Sequence, residues 1–362
     1  MRNSQNGTIT PTQATIIIIN YTMSVAILTL PRAAANEVGT PDVWIALLIS
    51  SLVPLTMAFV IINLNRRYPN QTFYQYSDLI VGKVLGFLFS LLIILIFVID
   101  VAFEVRMIAE VVETYLLEGT PIIVLIVIVL WLSLYLVVDG IPSIARIAQI
   151  IFPLTIITFV IVALMSFGLF ELNHLRPVLG EGIRPVLDIK SIVLSTSGVE
   201  IILIIQACMT DQPKVKKVIF IGVLVPTVIY ILTLVMVIGA LSIDGVANLT
   251  YPTIMLIQSF EFPELLFERF DSLFLIIWTM QIFFTLSVSF YLASLGLSQI
   301  FNKDIKRFMY GLLPIIFILS MIPQNLYQIF WIGNMIAYAS IVLFGVVPFL
   351  LLLISFIRRK AQ

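Results

Sequence analysis

Ten long apolar runs, separated by short polar breaks whose positive charge alternates from break to break, constrain this chain more than any other feature. The runs fall at about residues 14–35, 41–64, 84–114, 121–138, 143–170, 190–209, 217–241, 270–300, 307–322 and 327–357. A helix needs roughly 20 apolar residues to cross a bilayer, so each run is read as one membrane span. With 60% hydrophobic and 11% charged residues, the chain has far more apolar side chain than a water-soluble core of 362 residues could bury. The expectation is a single polytopic membrane domain over 1–362, all-α, with ten transmembrane helices.

The loop charges orient it. Placing alternate loops on one face gathers Arg2, Arg66, Arg67, Lys83, Arg146, Lys214, Lys216, Lys217, Lys303, Lys306, Arg307, Arg358, Arg359 and Lys360 there, together with both termini. The other face receives only Arg32, Arg176, Arg184, Lys190 and Arg269. By the positive-inside rule both termini are expected in the cytoplasm. The opposite loops are the acidic ones, with Glu171, Glu181, Asp188, Asp244, Glu261, Glu264 and Glu268. Two of them are long, 171–189 and 242–269, as lids or docking surfaces often are, though a plain solvated loop fits equally well.

Several function classes drop out. A net charge of zero gives no reason to expect nucleic acid. One cysteine, Cys208, and one histidine, His174, leave no disulfide, no Cys/His metal site and no Cys–His catalytic pair. Cys208 is expected as a small buried apolar residue and His174 as a solvated loop residue. No phosphate loop, nucleophile elbow or zinc-protease motif is present, so no catalytic residues and no cofactor are expected. Ala33-Ala34-Ala35 after an apolar run imitates a signal-peptidase site, but Pro31-Arg32 stands where that site should be small and neutral, so the segment is expected to stay as span one.

Two spans carry interruptions. Span one places small and hydroxyl residues at Thr22, Ser24, Val25 and Ala26 and a proline at Pro31, which removes a donor from the carbonyl of Ile27; local unwinding near 24–28 follows. Span six has Ser195, Thr196, Ser197 and Gly198 just before Glu200. These are the first helices of two five-helix halves, about 14–170 and 190–357, and breaks at corresponding places in two halves point to a binding site at the membrane midplane. An ordinary proline kink or a small-residue packing seam is the plainer reading of each break alone.

Span three brings ionisable residues to membrane depth: Asp100, Glu104, Arg106, Glu110 and Glu113, with Phe103 among them. A charge at the bilayer centre costs on the order of 2.5–3.5 kcal/mol even on insertion scales, so these groups must face protein or water. Asp100 and Glu104 are four apart and share a face; Arg106 and Glu110 do likewise and form a candidate structural ion pair. Asp100, with no base one turn away, is a candidate partner for a ligand ammonium. Glu200 is a candidate for a coupling proton, a cation or a ligand amine, or for a bond to carbonyls freed in span one. Span eight adds Gln281, Thr285, Ser287 and Ser289, most of them expected to bond back to their own helix.

These segments resemble one family, the B subunits of bacterial spore germinant receptors, or endospore germination permeases, within the amino acid, polyamine and organocation transporter superfamily. The resemblance lies in Ile27–Arg32 (ILTLPR), Phe103–Val111 (FEVRMIAEV), Leu116–Pro121 (LLEGTP), Leu175–Gly182 (LRPVLGEG), Gly198–Ile201 (GVEI), Tyr251–Glu261 (YPTIMLIQSFE) and Phe267–Asp271 (FERFD). It implies a LeuT-like fold of two inverted five-helix repeats with spans one and six unwound at their centres. It further implies a sensor of a small nutrient germinant, an amino acid or related amine-bearing molecule, in the inner membrane of the spore. Its partners would be an A-type membrane subunit and a C-type lipoprotein. Carried over by position, the ligand pocket involves Thr22, Ser24, Val25, Ala26, Asp100, Phe103, Glu104, Ser197, Gly198, Glu200 and Thr285. Many relatives have glycine where this chain has Ser24 and Ala26, and an acid at Asp100 is not part of the family pattern, so ligand identity does not carry over. A proton-coupled amino-acid transporter and an ion conduit remain open alternatives, since all use polar groups along a membrane path.

Overall fold

The computed structural model describes residues 7–260 and 270–359. Arg2, Glu261, Glu264, Glu268, Arg269, Lys360 and most of the FERFD segment lie outside the described residues. Among those described, the regular elements are helices, apart from a single bridge between Ile9 and Met209.

Six helical stretches are long and apolar enough to cross a membrane by themselves: Val43–Asn65, Lys83–Tyr115, Ile141–Ser166, Gln212–Leu241, Asp271–Phe301 and Leu326–Ile357. Two further spans are broken pairs, Pro11–Thr22 with Ala26–Val38, bent by 52°, and Pro185–Ser195 with Val199–Cys208, bent by 49°. The shorter helices Ile122–Val137 and Ile305–Met321 complete ten spans in the order expected from the apolar runs. Span three has 33 residues. At about 1.5 Å per residue it is far longer than a bilayer core of about 30 Å, so it leans and projects past the hydrocarbon. The remaining helices are connectors: Phe73–Val81 on the basic face, and Ile243–Asn248 with Pro252–Gln258 on the opposite face, called here the loop face.

Local chemistry explains where the elements begin. Thr10 caps the first helix with a capping box closed by Gln13, and Pro11 fills the first position, where no amide donor is needed. Thr72 and Gln75 repeat the device at Phe73–Val81. The stretch just before the first helix is tied down as well: the Ile9 amide donates to the Cys208 carbonyl at 2.9 Å, and the Thr210 amide donates to the Ile9 carbonyl at 3.0 Å. The start of span one is thereby fastened to the end of span six.

Spans one, three, six and eight form the centre. Two thirds (67%) of the most apolar stretch of span eight is covered by protein, against 22% for span five, so span eight is interior and span five faces lipid. Lipid tails provide no hydrophobic drive between helices, and close packing needs small side chains. Span eight supplies them: Ser287, Ser289, Ala293 and Ser294 are fully buried, and a Cβ on Gly296 would overlap Ile94 and Tyr74. Cys208 is buried and free, as its small apolar character suggests. His174 departs from expectation: it is only half exposed, because its Nδ1 lies 2.9 Å from the Gly239 carbonyl and docks the 171–189 loop on span seven.

Candidate functional site

Span one breaks at Met23–Val25, slightly earlier than the 24–28 stretch expected, and helix resumes at Ala26. Loss of helical bonding frees carbonyls deep inside the bundle, and each such group costs free energy unless paired. Side chains from other spans pair them. Tyr230 of span seven donates to the Thr22 carbonyl at 2.5 Å, and Trp278 of span eight donates to the Ser24 carbonyl at 3.2 Å. Gln281 reaches the Asn20 carbonyl at 2.5 Å, so it serves span one rather than its own helix. Pro31 does free the Ile27 carbonyl, but without unwinding: Thr253 on the loop-face helix Pro252–Gln258 donates its hydroxyl there at 2.8 Å.

The span-six break covers Thr196–Gly198. Gly198 has φ +146°, a region that only glycine adopts without strain. Its missing side chain also matters, because a Cβ there would lie 2.7 Å from the Thr22 Cα. The two breaks therefore touch backbone to backbone. Glu200 turns back on its own break, accepting from the Gly198 amide at 2.5 Å, and does not reach the span-one carbonyls, where Tyr230, Trp278 and Gln281 already sit.

Beside the crossing lies a cavity of about 450 Å³. Its walls include Thr22, Ser24, Val25 and Ala26 of span one, Asp100, Phe103 and Glu104 of span three, Ser197 and Glu200 of span six, and Thr285 of span eight. Gly198 is not on the wall, since it is packed under Thr22. From there the lining climbs through Thr29, Arg32 and Asn36 to Thr250 and Tyr327 on the loop face, while no loop of the basic face is among its described lining residues. A lone His or Cys plays no part, and no cluster with metal-ligand character occurs among the described residues.

The acids are held differently. Asp100 sits at the middle of span three, seventeen residues from Lys83 and fifteen from Tyr115. Its Oδ2 accepts from Ser289 at 2.7 Å and from Tyr21 at 3.3 Å, and those two hydroxyls are 2.9 Å apart. Glu104, one turn nearer the loop face, is buried and accepts from the Ser24 hydroxyl at 3.0 and 3.1 Å. Asp100, Glu104 and Glu200 line the same cavity as Tyr21, whose hydroxyl donates to Asp100. Thr285 and Ser287 bond back to Gln281 and Phe283 of their own helix. Arg106 and Glu110 stand outside the cavity with Nη2 to Oε2 3.3 Å apart.

Sequence reading missed one wall altogether. Span ten lines the cavity through Phe330, Gly333, Asn334, Ala337, Ser340 and Phe344. Asn334 and Ser340 within an otherwise apolar run were the available signal. The span also widens to a π turn at Ile341–Val346, a form common at functional sites and unreadable from residue pattern. Tyr21 was likewise overlooked, as one aromatic among many.

Two broken helices crossing over a midplane cavity define a membrane protein of the transporter-fold class. Solved structures agree. The chain superposes on MhsT, crystallised in complex with L-phenylalanine, with TM-score 0.70 at 12% identity over 98% of this chain and 99% of that one. It also matches Mhp1, a nucleobase-cation-symport-1 family transporter, with TM-score 0.66 at 14% identity over 96% and 80%. The inverted five-helix repeat is thus the fold. Sequence gives the family: a family model described as spore germination protein matches residues 8–329. Spore germination protein YndE of Bacillus subtilis is 46% identical over 360 residues, 99% of each chain. Spore germination protein B2 of the same organism is 33% identical over 99% of this chain and 98% of its own. The chain belongs to the spore germination protein family, and is a multi-pass, transporter-like membrane protein of the germinant-receptor type.

Proposed function

We propose that the chain is the membrane subunit of a spore germinant receptor that binds a small nutrient, an amino acid or related amine-bearing molecule, in the midplane cavity and so triggers germination. One observation carries this reading: a cavity of about 450 Å³, open toward the loop face, is walled by both helix breaks and by Asp100, which no base among the described residues neutralises. Ser24, Val25 and Ala26 line it where span one restarts with no side-chain cap, and free amides at a helix start attract a carboxylate. Asp100 faces them from span three as the partner of the ammonium. Arg106 with Glu110 is assigned to holding span three in place.

In this reading the protein lies in the spore inner membrane with both termini cytoplasmic, the cavity opening outward, and an A-type membrane subunit and a C-type lipoprotein as partners. Ligand binding acts by favouring one conformation over another; a molecule that bound both equally would signal nothing. Asp100→Asn should weaken the response to a cationic or zwitterionic germinant while leaving the protein level intact. Unchanged concentration dependence in spores carrying that variant would overturn the assignment.

A second reading, a proton-coupled amino-acid transporter, is favoured by the position of buried Glu200 beside a break in a transporter fold. Uptake into proteoliposomes separates the two. Accumulation driven by a pH gradient supports transport, and binding without flux supports the sensor.

A further inference from the structure

The backbone amide at the span-six break already has a carboxyl acceptor. Glu200 Oε2 accepts from the Gly198 amide at 2.5 Å, in the way a ligand carboxylate would occupy an exposed amide at such a break. A ligand therefore cannot place its own carboxylate there without displacing a buried side-chain carboxylate. It would meet the carboxyls of Asp100 and Glu104 on the facing wall as well.

The charge of the wall points the same way. Asp100, Glu104 and Glu200 line the cavity, and the only cationic side chain among its described lining residues is Arg32. Arg32 is six residues beyond Ala26, about 9 Å further along the helix axis toward the loop face. It sits at the mouth, forming no ion pair among the described residues. The hydroxyls of Ser24, Tyr21 and Ser289 donate to Glu104 and Asp100 but bring no countercharge. At this depth, where screening is weak, a ligand cation interacts with a carboxylate far more strongly than a hydroxyl dipole does.

We propose that the ligand of this cavity carries a net positive charge, a diamine or an amino acid with a second ammonium, and that Glu200 is the residue that imposes the choice. Resting on the ligand-binding reading above, this names its substrate class. A carboxylate on the ligand has one place to go, the amides where span one restarts. The ammonium groups then face span three and span six. A zwitterion of the same length fills the same volume and leaves the span-six side uncompensated.

The test is calorimetric titration of the full chain in nanodiscs with matched probes: L-lysine against L-norleucine, and L-2,3-diaminopropionate against L-alanine. Within each pair the change is one ammonium at nearly constant size. The expected result is that the cationic member of at least one pair binds about tenfold or more tightly than its zwitterionic partner. Glu200→Gln keeps an acceptor for the Gly198 amide and removes the charge. It should shrink that ratio several-fold, mostly by weakening the cation, whereas a merely structural role for Glu200 would weaken both members alike. Should Glu200→Gln fail to fold, the two wild-type ratios decide the charge preference by themselves, and Asp100→Asn, which removes the partner of the shared α-ammonium, should weaken both members of a pair alike.

Equal or tighter binding of the zwitterions, or no binding by the cations, overturns this inference. A cavity-filling substitution, Gly333→Leu, keeps the two levels apart. Loss of zwitterion binding in that variant leaves the cavity reading standing and removes only the charge preference. Binding of any probe that survives it removes the cavity reading too.

Discussion

Gly198 lies directly against Thr22, so close that a Cβ on the glycine would stand 2.7 Å from the Thr22 Cα and about as near its hydroxyl. Because Gly198 also has φ +146°, two separate costs meet at one position. Gly198→Ala should lose on the order of 3 kcal/mol, from a backbone region that strains any side chain and from overlap with span one. Thermal unfolding of the solubilised protein reads the loss. Adding Thr22→Ala should restore only part of it, since the Cα overlap remains. Full restoration would show that the hydroxyl alone was at fault.

Thr253 and Pro31 should show coupled effects. The Thr253 hydroxyl bonds the Ile27 carbonyl at 2.8 Å only because residue 31 offers it no amide. Thr253→Val should cost about 1 kcal/mol in the natural background. In a Pro31→Ala background the helix can supply its own bond, and the same change should cost little. A double-mutant cycle on thermal stability measures the difference, and additive costs would show that Pro31 does not create the docking site.

The physical division between what was readable and what was not is visible at these residues. Ten spans were legible because apolar runs and loop charge are imposed by the bilayer, residue by residue. The breaks were legible because Pro31, Gly198 and their hydroxyl neighbours are local causes. Partners were not: nothing in the pattern of span seven says that Tyr230 reaches the Thr22 carbonyl, and Gln281 and Ser289 looked like self-bonding helix residues until packing brought span one and span three against them. Gly198 was assigned to the ligand, whereas its small size serves the crossing of the breaks. Of the roles open to Glu200, a bond to the span-one carbonyls is the one the packing removes, because Tyr230, Trp278 and Gln281 have taken them.

Arg106 and Glu110 lend themselves to a comparison of single and double changes. Arg106 is buried and its Nε has no partner, while Glu110 Oε2 is 3.3 Å from its Nη2. Removing one member of such a pair strands a charge. Arg106→Met alone should destabilise by on the order of 3 kcal/mol, and Arg106→Met with Glu110→Gln by clearly less. The melting temperatures of the purified variants check this. A double variant worse than the single would mean that Glu110 has another cation to bind.

The charge asymmetry between alternate loops predicts sidedness, and the chain offers a clean way to measure it. Its single cysteine is buried and free, so Cys208→Ala gives a background without reactive thiols. Glu181 lies exposed in the loop between spans five and six, and Lys303 lies exposed between spans eight and nine, on the opposite face. The two loops are three spans apart and so lie on opposite faces, and reporters in both fix the orientation of the bundle. The positive-inside rule places Lys303 in the cytoplasm and Glu181 outside. Glu181→Cys should react with a membrane-impermeant maleimide on intact protoplasts, and Lys303→Cys only after permeabilisation. The reverse pattern would turn the cavity mouth inward, and a nutrient outside the membrane could not enter it through Arg32 and Asn36.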